Sequence, residues 1–134
     1  MKEFREFITS EGKLVLGGKN AESNEKLIAQ VKENEIVLHT KEAGSPFCNI
    51  KEEYRKTNKK DIKEAAIFCA AYSRDWKKNK KDVLVHYFLG KDIFKEKNMN
   101  LGTFGVRRFK EILVKKEEIE NFLKKNKNSQ ASII

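Results

Sequence analysis

One proline, Pro46, and two cysteines, Cys48 and Cys69, are all that 134 residues contain of these types. The cysteines form no CxxC pair and have no histidine beside them, which argues against a structural zinc site. Both lie in apolar runs and are expected to be buried free thiols in a reducing compartment. Histidine is equally scarce, with only His39 and His86. There is no HExxH and no carboxylate pair at metal-ligand spacing, so no metal, no cofactor and no catalytic residue is assigned. No apolar run approaches the ~18 residues of a membrane span. Met1-Lys2-Glu3-Phe4 has no apolar core of a signal peptide. The expectation is a cytoplasmic protein without a membrane partner. Arginine is greatly outnumbered by lysine, which favours point-charge contacts over base-edge reading.

Apolar residues make up 39% of the chain and include nine phenylalanines, enough for one domain with one core. The formal charge is +9, and it is uneven. Residues 1–50 carry seven Lys/Arg against eight Asp/Glu, while residues 51–134 carry 22 against 12. Such asymmetry points to a polyanionic partner. Three basic clusters stand out: Lys51/Arg55/Lys56/Lys59/Lys60, Arg74/Lys77/Lys78/Lys80/Lys81 and Arg107/Arg108/Lys110. Trp76, inside the second, is placed either to stack on a base or to cover the edge of the core.

The chain is organised around Gly12–Pro46. Lys13–Leu16 reads as a strand, Gly17-Gly18-Lys19-Asn20 as a turn, and residues 21–32 as a helix with Leu27, Ile28 and Val31 inward. Two glycines are expected to give a tight turn with φ > 0, and Asn20 to cap the helix. Free N–H groups at a helix start attract phosphate, with Lys19 adding charge. This is no Walker A loop: Lys13 holds the first glycine position and Asn20 the Ser/Thr position. Phe4–Thr9 pairs with Lys13–Leu16 as a hairpin. Glu35–Thr40 is a strand, Lys41–Pro46 a loop with strong turn chemistry, and Phe47–Ile50 a further strand.

Residues 51–60 read as a loop. Asp61 is expected to cap a helix over 61–76 with Glu64 as its reciprocal partner, its small face (Ala65, Ala66, Cys69, Ala70, Ser73) lying close on a sheet. Asp82–Leu89 is apolar on both faces and is placed inside that sheet. Short strands follow around Ile93–Lys95 and at Val106–Val114, then a helix over Lys115–Lys125. The predicted organisation is one α+β domain, 1–125, with a mixed or mostly antiparallel sheet of about six strands, a central helix on one face and a short C-terminal helix. Residues 126–134 are expected to be a flexible tail.

These motifs, in order, resemble the NFACT-R domain family over about residues 4–115. Gly18-Lys19-Asn20 and Asn24 match its G-[RK]-[ND]-x-x-x-N element, His39 its strand histidine, and Gly44-Ser45 its GSH loop. Glu64-Ala65-Ala66 with Tyr72-Ser73 match its helix. Glu35, Val37 and Pro46 stand where the family usually has Asp, Trp and His, so any contacts that Trp and His make are absent here. The resemblance implies nucleic-acid binding. Full-length members work in ribosome-associated quality control, binding the large subunit with peptidyl-tRNA.

Charge pattern and resemblance together predict a non-catalytic module for structured RNA, tRNA or rRNA, held mainly by phosphate contacts. The candidate site is Gly17, Gly18, Lys19 and Asn20, with His39 and Ser45 as second contacts and Arg74, Lys77, Lys78, Arg107 and Arg108 as a wider phosphate track. Two other readings are an adaptor docking on a ribosomal or RNA-processing protein and a small hydrolase using His39 and Ser45.

Overall fold

A computed structural model of the protein describes residues 2–129. Six strands form one antiparallel sheet: β1 (Arg5–Ile8), β2 (Leu14–Gly17), β3 (Glu35–Thr40), β4 (Cys48–Glu53), β5 (Val83–Leu89) and β8 (Lys110–Val114). Their order is β1-β2-β4-β3-β5-β8. Two short strands, β6 (Ile93–Phe94) and β7 (Gly105–Val106), pair in a separate arm. The helices are α1 (Ala21–Ala29), α2 (Lys59–Ala71), α3 (Arg74–Asn79) and α4 (Lys116–Ser129). The predicted α+β class, the hairpin and the interior position of β5 all hold. The expected tail falls on the end of α4 and on residues 130–134, the latter outside the described residues.

Period-two alternation sends the side chains of each strand to opposite faces. Ile36, Leu38, Cys48, Ile50, Val83, Val85 and Val114 go to one face and meet Ala65, Ala66, Phe68, Cys69, Ala70 and Ile119 of α2 and α4. The small residues of α2 let its backbone approach the sheet. Both cysteines are buried and free. On the other face Val37, Phe47 and Phe88 meet Leu27 of α1, with Ile93, Phe104 and Val106 of the arm at the margin.

Several boundaries differ from the sequence expectation. Asn58, not Asp61, caps α2. Its side chain accepts from the Asp61 N–H at 2.9 Å, and Asp61 is the reciprocal partner at 3.2 Å. Buried Asp61 also accepts from Thr9 Oγ1 at 2.8 Å, and Glu64 accepts from the N–H and hydroxyl of Ser10. The carboxylates of α2 therefore tie down the hairpin turn. The predicted 61–76 helix is two helices, because Ser73 takes an extended backbone and its hydroxyl accepts from the Trp76 N–H at 3.2 Å. A serine at helical spacing is here a cap. α1 stops at Ala29, three residues early, and β4 runs on through Glu53 into the predicted loop. The predicted 106–114 strand is split between the arm and the sheet edge.

Candidate nucleic-acid interface

The Gly17–Asn20 turn is closed by its own side chains. Neither Gly17 nor Gly18 has a positive φ, contrary to the expectation. Gly17 is the last residue of β2, under the Phe68 ring. Gly18 is required by close approach, since a Cβ there would collide with Asn24 Oδ1. That oxygen accepts from the Phe47 N–H at 3.0 Å, and Asn24 Nδ2 donates to the Ser45 carbonyl at 3.5 Å. Asn24 thus clasps the 45–47 segment to the start of α1.

The predicted backbone cradle is already filled. The Gly18 N–H donates to the Phe47 carbonyl at 2.9 Å. Those of Lys19 and Asn20 donate to Ser23 Oγ at 2.6 and 3.0 Å, while Asn20 Oδ1 accepts from the Ser23 N–H. Charge at this corner comes from Lys19 Nζ, exposed and within 2.7 Å of the Lys2 carbonyl.

Behind the clasp, strand register makes a polar row. His39 on β3 lies opposite His86 on β5, and His86 lies opposite Glu111 on β8. His86 Nε2 is 3.0 Å from a Glu111 oxygen, and its ring stacks on Phe109 with centroids 4.1 Å apart. The His39 ring packs on Phe47 at 4.4 Å, and its Nδ1–H donates to the Thr40 carbonyl at 2.7 Å. Burial holds the His39 pKa below its usual 6.5, and nearby His86 lowers it further, against the opposing pull of the Thr40 and Ser45 carbonyls.

Ser45 is buried; its hydroxyl accepts from the Thr40 N–H at 3.1 Å and donates to the Pro46 carbonyl at 3.0 Å. A serine so engaged closes its loop, and its proton is not directed at His39. Gly44, at φ +89°, has the Arg74 side chain across it, with Nε 3.0 Å from where a Cβ would sit. The Arg74 N–H donates to the Gly44 carbonyl at 2.9 Å, so the loop and the start of α3 are locked together.

These parts surround a cavity of about 760 Å³. Of the predicted residues, Gly18, Lys19, Asn20, His39, Ser45, Arg74 and Lys77 line it. Lys19 and two members of the second basic cluster, Arg74 and Lys77, therefore share one concavity. Gly17, Lys78, Arg107 and Arg108 do not line it; Arg107 and Arg108 lie on the connection between Val106 and Phe109, which do. The Arg107 guanidinium sits 4.7 Å from the centre of the Phe94 ring. Trp76 is 4% exposed and belongs to the core, with Lys80 Nζ 4.9 Å from its ring centre. The first basic cluster is elsewhere, with Lys51 paired to Glu35 at 2.8 Å and Arg55 against Tyr54.

Arg5, Lys41, Tyr72, Phe104 and Phe109 also line the cavity and were not predicted. Arg5 donates to the Gly18 carbonyl at 2.9 Å and lies over the Tyr72 ring at 4.4 Å. Its signal was alternation, which puts it beside Gly17 in the hairpin register. The lining has five basic residues (Arg5, Lys19, Lys41, Arg74 and Lys77) and no aspartate or glutamate. None of the five is in an ion pair among the described residues. Also among the described residues, no group of three or more His, Cys, Asp or Glu side chains is placed to hold a metal ion, and no helix is long and apolar enough to cross a membrane.

Val37, at the family's usual tryptophan position, is fully buried under α1. This exchange alters packing beneath the cavity rather than its lining. Pro46, at the usual histidine position, does line it.

The chain is 36% identical over 67 residues to a protein of Methanocaldococcus jannaschii named "Archaeal Rqc2 homolog aRqcH", a match spanning 49% of this chain and 10% of that relative. The fold resembles the C-terminal part of the fibronectin/fibrinogen-binding protein of Streptococcus suis. There the TM-score is 0.78 at 20% identity, over 90% of this chain and 49% of that one. The model of the NFACT protein RNA binding domain matches residues 3–108, from β1 through the arm to the basic connection that follows it. A match of that extent, holding the Gly18–Asn24 clasp, the His39 strand and the Gly44-Ser45 loop together, makes this chain a member of the NFACT RNA-binding domain family.

Proposed function

We propose that this chain is a non-catalytic RNA-binding module acting in the cytoplasm, with structured RNA such as tRNA or rRNA as ligand and the ribosome or an RNA-processing factor as its wider setting. One observation carries the reading: the cavity lining has five basic side chains and no carboxylate. Elsewhere on the surface Lys2, Lys13, Lys26, Lys51, Lys63, Lys95 and Lys115 are matched by nearby acids. Unmatched cations gathered in one concavity raise the local potential and draw polyanions. Lysine-rich contacts of this kind are mostly to phosphate and carry little sequence preference. The engaged Ser45 hydroxyl supports a binding role over a hydrolytic one. The likeness to an archaeal Rqc2 homolog supports a place in ribosome-associated quality control.

The test is a fluorescence-anisotropy titration with bulk tRNA at several salt concentrations. Wild type binds, with log K falling linearly against log salt. Arg74→Ala with Lys77→Ala weakens binding and reduces the slope by about one per lost phosphate contact. Binding that is unchanged in this double variant removes the cavity from the reading; no binding at low salt removes RNA. Co-sedimentation with large ribosomal subunits tests the ribosomal setting separately.

A further inference from the structure

Five large apolar side chains are exposed among the described residues: Ile8, Tyr54, Leu101, Phe109 and Leu113. Two of them, Leu101 and Phe109, border the basic cavity. Phe109 is the informative one. It stands in a charged stretch, Arg107-Arg108-Phe109-Lys110-Glu111, and is 49% exposed. One side of its ring is stacked on His86 at an interplanar angle of 19°. His86 is held in turn by Glu111. The ring is thus fixed in orientation with much of its surface left in water. An aromatic ring in this state is a preformed stacking platform: the ordering entropy has been lost beforehand, and covering the ring is favourable.

The cavity is also concave and walled by separate segments: the Gly18–Ala21 turn, the Gly44–Phe47 loop, the start of α3 and the Leu101–Phe104 part of the arm. A smooth duplex presents a convex backbone with its bases stacked inside. Only an extruded or terminal nucleotide brings a base face into such a hollow. Resting on the RNA-binding reading above, we infer that the cavity is a seat for an unpaired nucleotide, its base stacking on Phe109 and its flanking phosphates held by Lys19, Arg74 and Lys77. The ligand class is single-stranded RNA, or a structured RNA through an unstacked loop or end. The His86–Glu111 contact serves as the positioning pair that keeps Phe109 flat.

The experiment compares a short single-stranded oligoribonucleotide carrying one 2-aminopurine with a blunt duplex of the same length, using wild type, Phe109→Ala and Phe109→Tyr. Wild type binds the single strand more tightly than the duplex and quenches the 2-aminopurine on binding. Phe109→Ala weakens single-strand binding about tenfold, abolishes the quench and leaves duplex binding as it was. Phe109→Tyr, which keeps the ring, restores both affinity and quench. Equal binding of the two RNAs, with Phe109→Ala changing neither, overturns the nucleotide seat while leaving RNA binding intact. Absence of binding to single strand, duplex and tRNA alike removes the seat together with the reading on which it rests.

Discussion

The two faces of the sheet are made from the same strands and end up as different materials. Leu38 and His39 are neighbours on β3, and Val85 and His86 are neighbours on β5. Leu38 and Val85 are fully buried under α2, while His39 and His86 line a basic cavity. The difference comes from the cover. On one side α2 brings Ala65, Ala66, Cys69 and Ala70 against the sheet, and α4 adds Ile119. On the other, α1 is nine residues long and the arm has two-residue strands. They cover Val37 and Phe88 and stop short of the histidine row. One face is therefore closed by packing, while the other keeps an open, basic cavity. Substitutions on the two faces should separate stability from binding.

The largest effect is expected on the covered face. Leu38→Ala leaves a cavity beneath α2 and should cost about 2–5 kcal/mol in a denaturant titration. Its RNA affinity, measured where the variant is still folded, should match wild type. A smaller loss of stability together with weakened RNA binding would mean that the faces are coupled through β3, and the comparison would fail.

The next effect lies where the open face is built. Asn24→Ala removes the acceptor for the Phe47 N–H, leaving a buried donor unpaired at about 1–3 kcal/mol. Stability and binding should both fall, because the clasp shapes the cavity wall. Arg74→Ala with Lys77→Ala should behave in the opposite way. Both side chains are exposed, so melting should shift little, within about 0.5 kcal/mol, while RNA affinity and its salt slope drop. A clear loss of stability in that pair would show that the packing of Arg74 across Gly44 outweighs its charge.

The same contrast explains what could be read from the sequence. Glu35–Thr40 was legible to the residue, since a short alternating run closed by Lys41–Pro46 has one simple reading. The covered face was legible as well, because small residues at helical spacing on α2 leave little choice but close packing. The open face was legible only in its charges. Asn24 clasps a segment more than twenty positions away, a relation that local spacing does not carry. Ser73 fitted the helical stripe of α2 by spacing, yet its hydroxyl caps α3. Gly18 was read as a flexible turn residue, whereas its place is set by Asn24 crossing it. Phe109 was hidden among Arg107, Arg108 and Lys110, and becomes meaningful only when β8 pairs with β5 and brings it onto His86.

The smallest effect is a single proton, and it gives the contrast a pH axis. Among the described residues the sheet's histidines both line the cavity on the open face, and the proton is that of His39. Its pKa is held below 6.5, first by burial and then by His86, with the Thr40 and Ser45 carbonyls opposing. In the unfolded chain His39 takes up a proton as pH falls through its ordinary value near 6.5. In the folded chain it does so only at lower pH. The unfolded state thus binds more protons in the interval between the two values, and stability rises with pH across it. The contribution is fully present above the unfolded value and declines as pH falls toward the folded one. Thermal melting of wild type should therefore show an acid-side loss that His39→Gln flattens. RNA should act against this loss, because phosphate beside the cavity favours the protonated ring and raises its pKa. Binding measured across the same interval should accordingly tighten toward acid in wild type and less so in His39→Gln. If the variant's melting curve keeps the full acid-side slope, the loss does not come from His39, and the assignment of pH sensitivity to the open face is wrong.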